Sequence, residues 1–252
     1  MQRVLKAVTL ANRIYETEAV FRESCERHQC ALVQWLDVQG TQAAVVADAE
    51  ERWIVFRGTE PEAIGDWRVV FDARLVQTIV GSVHHGFWEA VDGVDEALLD
   101  AAGAWRTDPR PLMLCGHSMG GALAMVLGAL ARHWEVPVAT IYTFGSPRAG
   151  DAAFAARVND LVWRFVNNND VVPRLPARWF NLRRSDPGRL FYFDCCGDLV
   201  INPSRFARLI DRVAGRIRAC GSTPLDGIRD HDRQEYERLV QRNVLHLTLA
   251  ET

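Results

Sequence analysis

The chain is expected to fold as an α/β protein, a mostly parallel central sheet flanked by helices, in one domain over residues 1–252. Three observations predict this. Short apolar runs that end in polar loops alternate with segments at helical spacing, the pattern of a largely parallel sheet. One of those runs, Leu112-Met113-Leu114-Cys115, passes through a Gly-x-Ser-x-Gly turn into a stretch rich in small residues. And 252 residues, 48% hydrophobic and 24% charged, suffice for one large core.

Residues 3–29 read as a helix, with Val4, Val8, Ile14 and Phe21 on its apolar face and glutamates and arginines on a solvated one. Three strand-like runs follow, residues 31–36, 43–47 and 53–56, with Gly40 at the first turn. The third leads into the loop Arg57-Gly58-Thr59-Glu60. Residues 60–76 carry more apolar side chains (Ile64, Trp67, Val70, Phe71, Leu75) than a solvated loop would, and read as a short cover. His84-His85-Gly86-Phe87-Trp88 opens a helix to about Ala104. Leu112–Cys115 is a buried strand and the residues after Ser118 are a helix. Residues 139–144 form the next strand. Asp151 is a good N-cap for a helix over 152–158. Residues 161–166 form another strand, ending in Asn167-Asn168-Asn169-Asp170. Phe191-Tyr192-Phe193 is strand-like, and 203–219 is a helix.

The chemistry starts at Gly116-His117-Ser118-Met119-Gly120-Gly121. Gly116 and Gly120 remove the β-carbons that would clash where strand and helix come close, which leaves Ser118 at the apex of a strained turn. A helix N-terminus beneath it supplies a positive dipole end and free N–H groups. A serine hydroxyl is a weak nucleophile, so it needs a base for its proton and donors for the oxyanion. In α/β-hydrolases the order is Ser, then Asp or Glu, then His. Of the histidines downstream, His133 lies near the end of the elbow helix and His246 in an apolar tail. His231 sits in a polar loop from which its ring reaches inward. For the acid, Asp170 follows a buried strand directly, where ligand sites of such sheets lie. Asp194 and Asp198 are rivals, and Asp160 precedes its strand. Asp170 is preferred.

Several further motifs stand in order along residues 50–240: Phe56-Arg57-Gly58-Thr59, Asp66-Trp67, His85-Gly86-Phe87, residues 143–151 (TFGSPRAGD), residues 169–176 (NDVVPRLP) and Asp230-His231 followed by Tyr236. With the elbow they make the chain resemble the class 3 lipases, the α/β-hydrolase group that includes the fungal triacylglycerol lipases. The resemblance implies a triad of Ser118, Asp170 and His231. It also implies an oxyanion hole from the backbone N–H groups of Thr59 and Met119. Ile64, Trp67 and His117 are the expected substrate-binding residues. The stretch matching the fungal lid is short here, and the leader of those exported enzymes is not seen.

The expected function is a serine carboxylester hydrolase of lipase type, acting on acyl esters of glycerol or related lipids through an acyl-enzyme. The alternatives are a phospholipase A or other acyl-ester hydrolase, and a catalytically silent lipid-binding protein. No metal or organic cofactor is needed, and the six cysteines show no paired C-x-x-C zinc spacing. A net charge of −3 gives no overall sign of nucleic-acid binding. No stretch approaches a membrane-spanning length. With no signal peptide of the usual kind at the N-terminus, a cytoplasmic protein is expected, with leaderless export left open. A basic helical insertion is expected over about 178–230; residues 171–220 hold ten arginines against four aspartates. In its helix Phe206, Leu209, Ile210, Val213 and Ile217 share one face, with Arg205, Arg208, Arg212 and Arg216 beside it. Such a helix can lie on an anionic membrane, which adds peripheral contact with a lipid surface to the expected partners. The favoured arrangement packs the apolar face on the core and leaves the arginines solvated, because a helix in a folded domain usually buries such a face.

Overall fold

Two helices, α1 (Arg3–Arg13) and α2 (Glu18–Arg27), replace the single helix expected over 3–29. The break is at Thr17, which takes an extended conformation and caps α2 by accepting the Val20 N–H. Phe21 and Cys25 of α2 are buried in one cluster with Val4, Val8 and Ile14 of α1 and the turn after it. Strands β1 (Ala31–Val38), β2 (Thr41–Ala47) and β3 (Arg52–Phe56) then form an antiparallel meander. The computed structural model describes residues 3–59, 74–103, 108–175, 185–218 and 229–251. Most of the expected cover, residues 60–73 with Ile64 and Trp67, lies outside the described residues. So do 176–184 and 219–228, which take in both ends of the basic insertion expected over about 178–230, the latter including Cys220.

A small hairpin, β4 (Leu75–Thr78) and β5 (Gly81–His84), is followed by α3 (His85–Asp92) and α4 (Asp95–Ala101). One helix was expected here. It breaks at Gly93 and Val94, where the chain steps sideways and Val94 enters the core. Next come β6 (Leu112–His117), α5 (Met119–His133), β7 (Val138–Phe144), α6 (Ala152–Val158) and β8 (Val162–Asn167). Asp151 caps α6 as expected, accepting the Phe154 N–H at 2.8 Å. The chain ends with β9 (Arg189–Phe193), β10 (Leu199–Ile201), α7 (Arg205–Arg218), α8 (Arg233–Arg242) and α9 (Val244–Glu251).

Among the described residues the main sheet has eight strands in the order β1-β2-β3-β6-β7-β8-β9-β10. The run from β3 to β9 is parallel throughout. The pleat sends alternate side chains to opposite faces. Ile54, Phe56, Leu112 and Leu114 pack on one side against α3 to α6. Trp53, Val55, Met113 and Cys115 pack on the other against α1, α2 and α8. Phe56 pairs with Gly116, Gly116 with Thr143, and Phe144 with Phe165. The parallel strands therefore end together, and Thr59, Ser118, Gly145 and Asp170 all follow strand ends on one edge.

The helix α7 departs from the favoured expectation. Its apolar face points to solvent: Phe206 is 71% exposed, Leu209 57%, Ile210 54%, Val213 49% and Ile217 64%. The face turned to the protein is polar. Asp211 accepts the Cys195 N–H at 3.1 Å and the Tyr192 hydroxyl at 2.8 Å, and Arg212 Nε donates to the Asn168 carbonyl at 3.3 Å. Those polar contacts set the roll of the helix.

Candidate active site

The turn from β6 into α5 places Ser118 at the helix N-cap with φ +55° and ψ −130°. A positive φ at a non-glycine residue costs about 1–3 kcal/mol and persists only when its surroundings enforce it. They do so here: the Ser118 N–H donates to the Phe144 carbonyl at 2.8 Å, and Gly121 N–H donates to the Ser118 carbonyl at 3.0 Å. The amide groups that open α5, those of Met119 and Gly120, start directly beyond the serine.

His231, from the loop before α8, reaches the serine. Its Nε2 is 2.9 Å from Ser118 Oγ and its Nδ1 is 2.9 Å from Asp170 Oδ2. With Nδ1–H donating to the carboxylate, Nε2 is left to accept the serine proton. Asp170 is fully buried, yet each of its oxygens is satisfied. Oδ1 accepts the Val172 N–H at 2.9 Å, and Oδ2 accepts the Tyr236 hydroxyl at 2.6 Å besides His231. Burial and the Asp170 charge push the Tyr236 phenol well above its usual range, so it stays a donor. Its oxygen in turn accepts the Asn167 N–H at 3.0 Å. Asp230 ties the two loops, accepting the Asn169 N–H at 2.9 Å.

The other sequence candidates stand elsewhere. Asp194 is a turn residue accepting the Cys196 and Asp198 N–H groups, and Asp198 pairs with Arg242. His133 and His246 are exposed. Thr59 and Met119 come together, with the Thr59 hydroxyl 3.5 Å from Met119 Sδ. The loop holding Thr59 passes so near the serine that a β-carbon on Gly58 would lie 3.1 Å from Ser118 Cβ.

His117 does not sit where a substrate-binding residue should. It is buried, its Nε2–H donates to the His231 carbonyl at 2.8 Å, and its Nδ1 accepts the Tyr15 hydroxyl at 3.2 Å. It therefore holds the loop of His231 from behind. Burial, and then the charge of His231, keep it well below the usual imidazole range, so it stays neutral. The unfolded chain takes up a proton at this position below about pH 6.5, and the native state does not. His117 therefore lowers stability progressively as pH falls below about 6.5, by up to ~1.4 kcal/mol per pH unit. Urea unfolding across that range should show the slope, and His117→Gln should flatten it.

The sequence alone does not mark Tyr236 and Gly145 as site residues. Tyr236 belongs to a motif, but nothing local marks a tyrosine five residues after a histidine as a partner of a distant aspartate. Gly145 has φ +62°, and a β-carbon there would sit 2.9 Å from Asp170 Oδ2 and 3.0 Å from His231 Nδ1. Gly-Ser-Pro after a strand signals the turn, but not what presses on it.

Residues 53–180 match the model of the family described as Lipase (class 3). The chain is similar to Toxin TseL of Vibrio cholerae, 35% identical over 143 residues, which covers 55% of this chain and 22% of that protein. It is also similar to secreted mono- and diacylglycerol lipase 1 of Fusarium solani, 33% identical over 156 residues, covering 59% and 46%. The chain thus spans less than half the length of these curated relatives. Among solved structures, a Rhizomucor miehei lipase–propeptide complex superposes with a TM-score of 0.62 at 24% identity, covering 75% of this chain and 67% of that one. Lipase II from Rhizopus niveus superposes with a TM-score of 0.64 at 20% identity, covering 75% and 80%. The fold they share with this chain is that of the α/β-hydrolases.

Proposed function

The chain belongs to the class 3 lipase family, and from that premise we propose that it is a serine hydrolase of carboxylic esters, acting on acyl esters of glycerol or related lipids. The observation that carries this is the unbroken hydrogen-bond chain from Ser118 through His231 to Asp170, at the edge where the parallel strands end. Ser118 Oγ attacks the acyl carbonyl while its proton passes to His231 Nε2. Asp170 accepts the Nδ1–H, fixes the tautomer and stabilises the imidazolium. The backbone N–H groups of Thr59 and Met119 hold the oxyanion. Collapse of the tetrahedral intermediate expels the alcohol, which takes its proton from His231. Water, activated by the same imidazole, then releases the acid from the acyl-enzyme.

A fluorophosphonate probe tests this directly. Stoichiometric phosphonylation of Ser118, with turnover of p-nitrophenyl esters, is the expected result. A folded protein that binds lipid but neither reacts with the probe nor turns over ester would make it a silent lipid-binding protein instead. The hydroxyl of Thr59 gives a finer test. Thr59→Val keeps the backbone N–H and removes only the side-chain donor. If that hydroxyl also serves the oxyanion, kcat falls by about 10²–10³-fold with KM little changed. An unchanged kcat would restrict the role of Thr59 to its backbone.

A further inference from the structure

We propose that α7 is the surface by which this protein sits on an anionic lipid bilayer, with Phe206, Leu209, Ile210, Val213 and Ile217 entering the acyl region and Arg205 and Arg216 on headgroup phosphates. The proposal rests on the lipase reading only for the purpose such docking would serve.

Three observations carry it. First, the apolar stripe is continuous along the helix and exposed, led by Phe206 at 71%. Five large apolar side chains in water on one helix make a patch of the kind that marks an interaction site. Second, the roll of the helix is fixed. Its inner face is held by the Asp211 contacts to Tyr192 and Cys195 and by Arg212 on the Asn168 carbonyl. Gly215 lies so close to Asn168 that a β-carbon would approach its Oδ1 to 2.6 Å. Rolling the stripe inward would break all of these. Third, the exposed charge that the helix itself carries beside the stripe has one sign. The helix holds five arginines and a single acid, Asp211, which points inward. Arg205 and Arg216, both exposed, flank the stripe. The chain as a whole is negative at −3, so this basic strip is a local feature.

That charge selects the occupant. A second copy docking by the same helix about a two-fold axis would bring two arginine-flanked stripes together and oppose like charges. A bilayer with anionic headgroups complements both the stripe and its rim, as for an amphipathic helix lying in the interface. The placement fits as well. The inner face of α7 packs on Asn168, two residues before Asp170, at the same edge of the sheet as Ser118. Docking by α7 would therefore hold that edge against the source of lipid substrate.

Ser118→Ala protein, which leaves lipid intact, would be sedimented with vesicles of phosphatidylcholine alone and of phosphatidylcholine with phosphatidylglycerol. Binding to the anionic vesicles is expected, weakened by salt. Phe206→Ser/Ile210→Ser in that background should lower binding by about tenfold or more. Arg205→Gln/Arg216→Gln should lower it about tenfold and remove most of the salt dependence. With Ser118 restored, both variants should keep wild-type turnover of a short soluble ester and an unchanged melting temperature. The proposal fails if wild-type-like binding survives both double substitutions, or if the protein ignores anionic vesicles. It fails equally if the protein is a dimer that Phe206→Ser/Ile210→Ser converts to monomer, since the occupant is then a second copy. Vesicle binding without fluorophosphonate labelling would overturn the lipase reading and leave the docking surface standing.

Discussion

Ser118→Ala, His231→Ala and Asp170→Asn are each expected to lower kcat by roughly 10⁴–10⁶-fold, with the double variants little worse than the singles, because the three act as one unit. Asp170→Asn is the most informative of them. Its carboxylate faces three donors: the Val172 N–H on Oδ1, and His231 Nδ1–H and the Tyr236 hydroxyl on Oδ2. An amide has one oxygen, so in either orientation its NH₂ meets a buried donor. His231 can escape by moving its proton to Nε2, but then it no longer accepts from Ser118. Activity should fall with the fold intact, and stability should fall by about 1–3 kcal/mol for the donor left unpaired. Asp194→Asn should leave activity at the wild-type level, because Asp194 only closes the turn between β9 and β10. The reverse result would move the acid to Asp194. Rates on a soluble ester, with unfolding curves for each variant, decide it.

The elements near the serine were legible in the sequence because local and global signals agree there. Leu112–Cys115 is buried on both faces and apolar throughout, and the turn after it demands glycine. The carboxylate and the imidazole were legible from where they sit: one directly after a strand, one in a polar loop late in the chain. What stayed hidden depends on partners far away in sequence. His117 stands beside the nucleophile and looked like a substrate contact, but its ring turns back to Tyr15 and the His231 carbonyl. The breaks at Thr17 and Val94 follow from where the core lies, which periodicity alone does not give. The roll of α7 is hidden for the same reason. Helical spacing shows which residues share a face, and only Asp211, Arg212 and Gly215 against the acid loop show which face turns inward.

The elbow glycines should carry the largest effect on stability. A β-carbon on Gly116 would lie 2.3 Å from the Gly120 carbonyl carbon and 2.7 Å from the Gly121 nitrogen. One on Gly120 would lie 2.3 Å from the Phe56 carbonyl oxygen and 2.9 Å from its carbon. Ordinary contacts of this kind are about 3.4 Å or more, and every atom met here is backbone, so no side-chain rotation relieves the overlap. Gly116→Ala must push α5 away from β6, and Gly120→Ala must push it away from β3. Both movements open the core that Ala122, Leu123 and Val126 share with the sheet. Each variant should lose about 4 kcal/mol or more, a large part of the ~5–15 kcal/mol that holds a domain folded. Melting temperature should fall by roughly 10 °C or more. The two differ in function, because the Phe56 carbonyl lies just before Gly58 and Thr59. Folded Gly120→Ala protein should therefore also show a lowered kcat, since the loop holding Thr59, the proposed oxyanion donor, shifts with β3. Gly93→Ala is the matched control: a β-carbon there meets nothing within 4 Å and its φ is −89°, so stability should stay within about 1 kcal/mol of wild type. A Gly116→Ala protein that melts like the control would mean that strand and helix are not pressed together at the elbow.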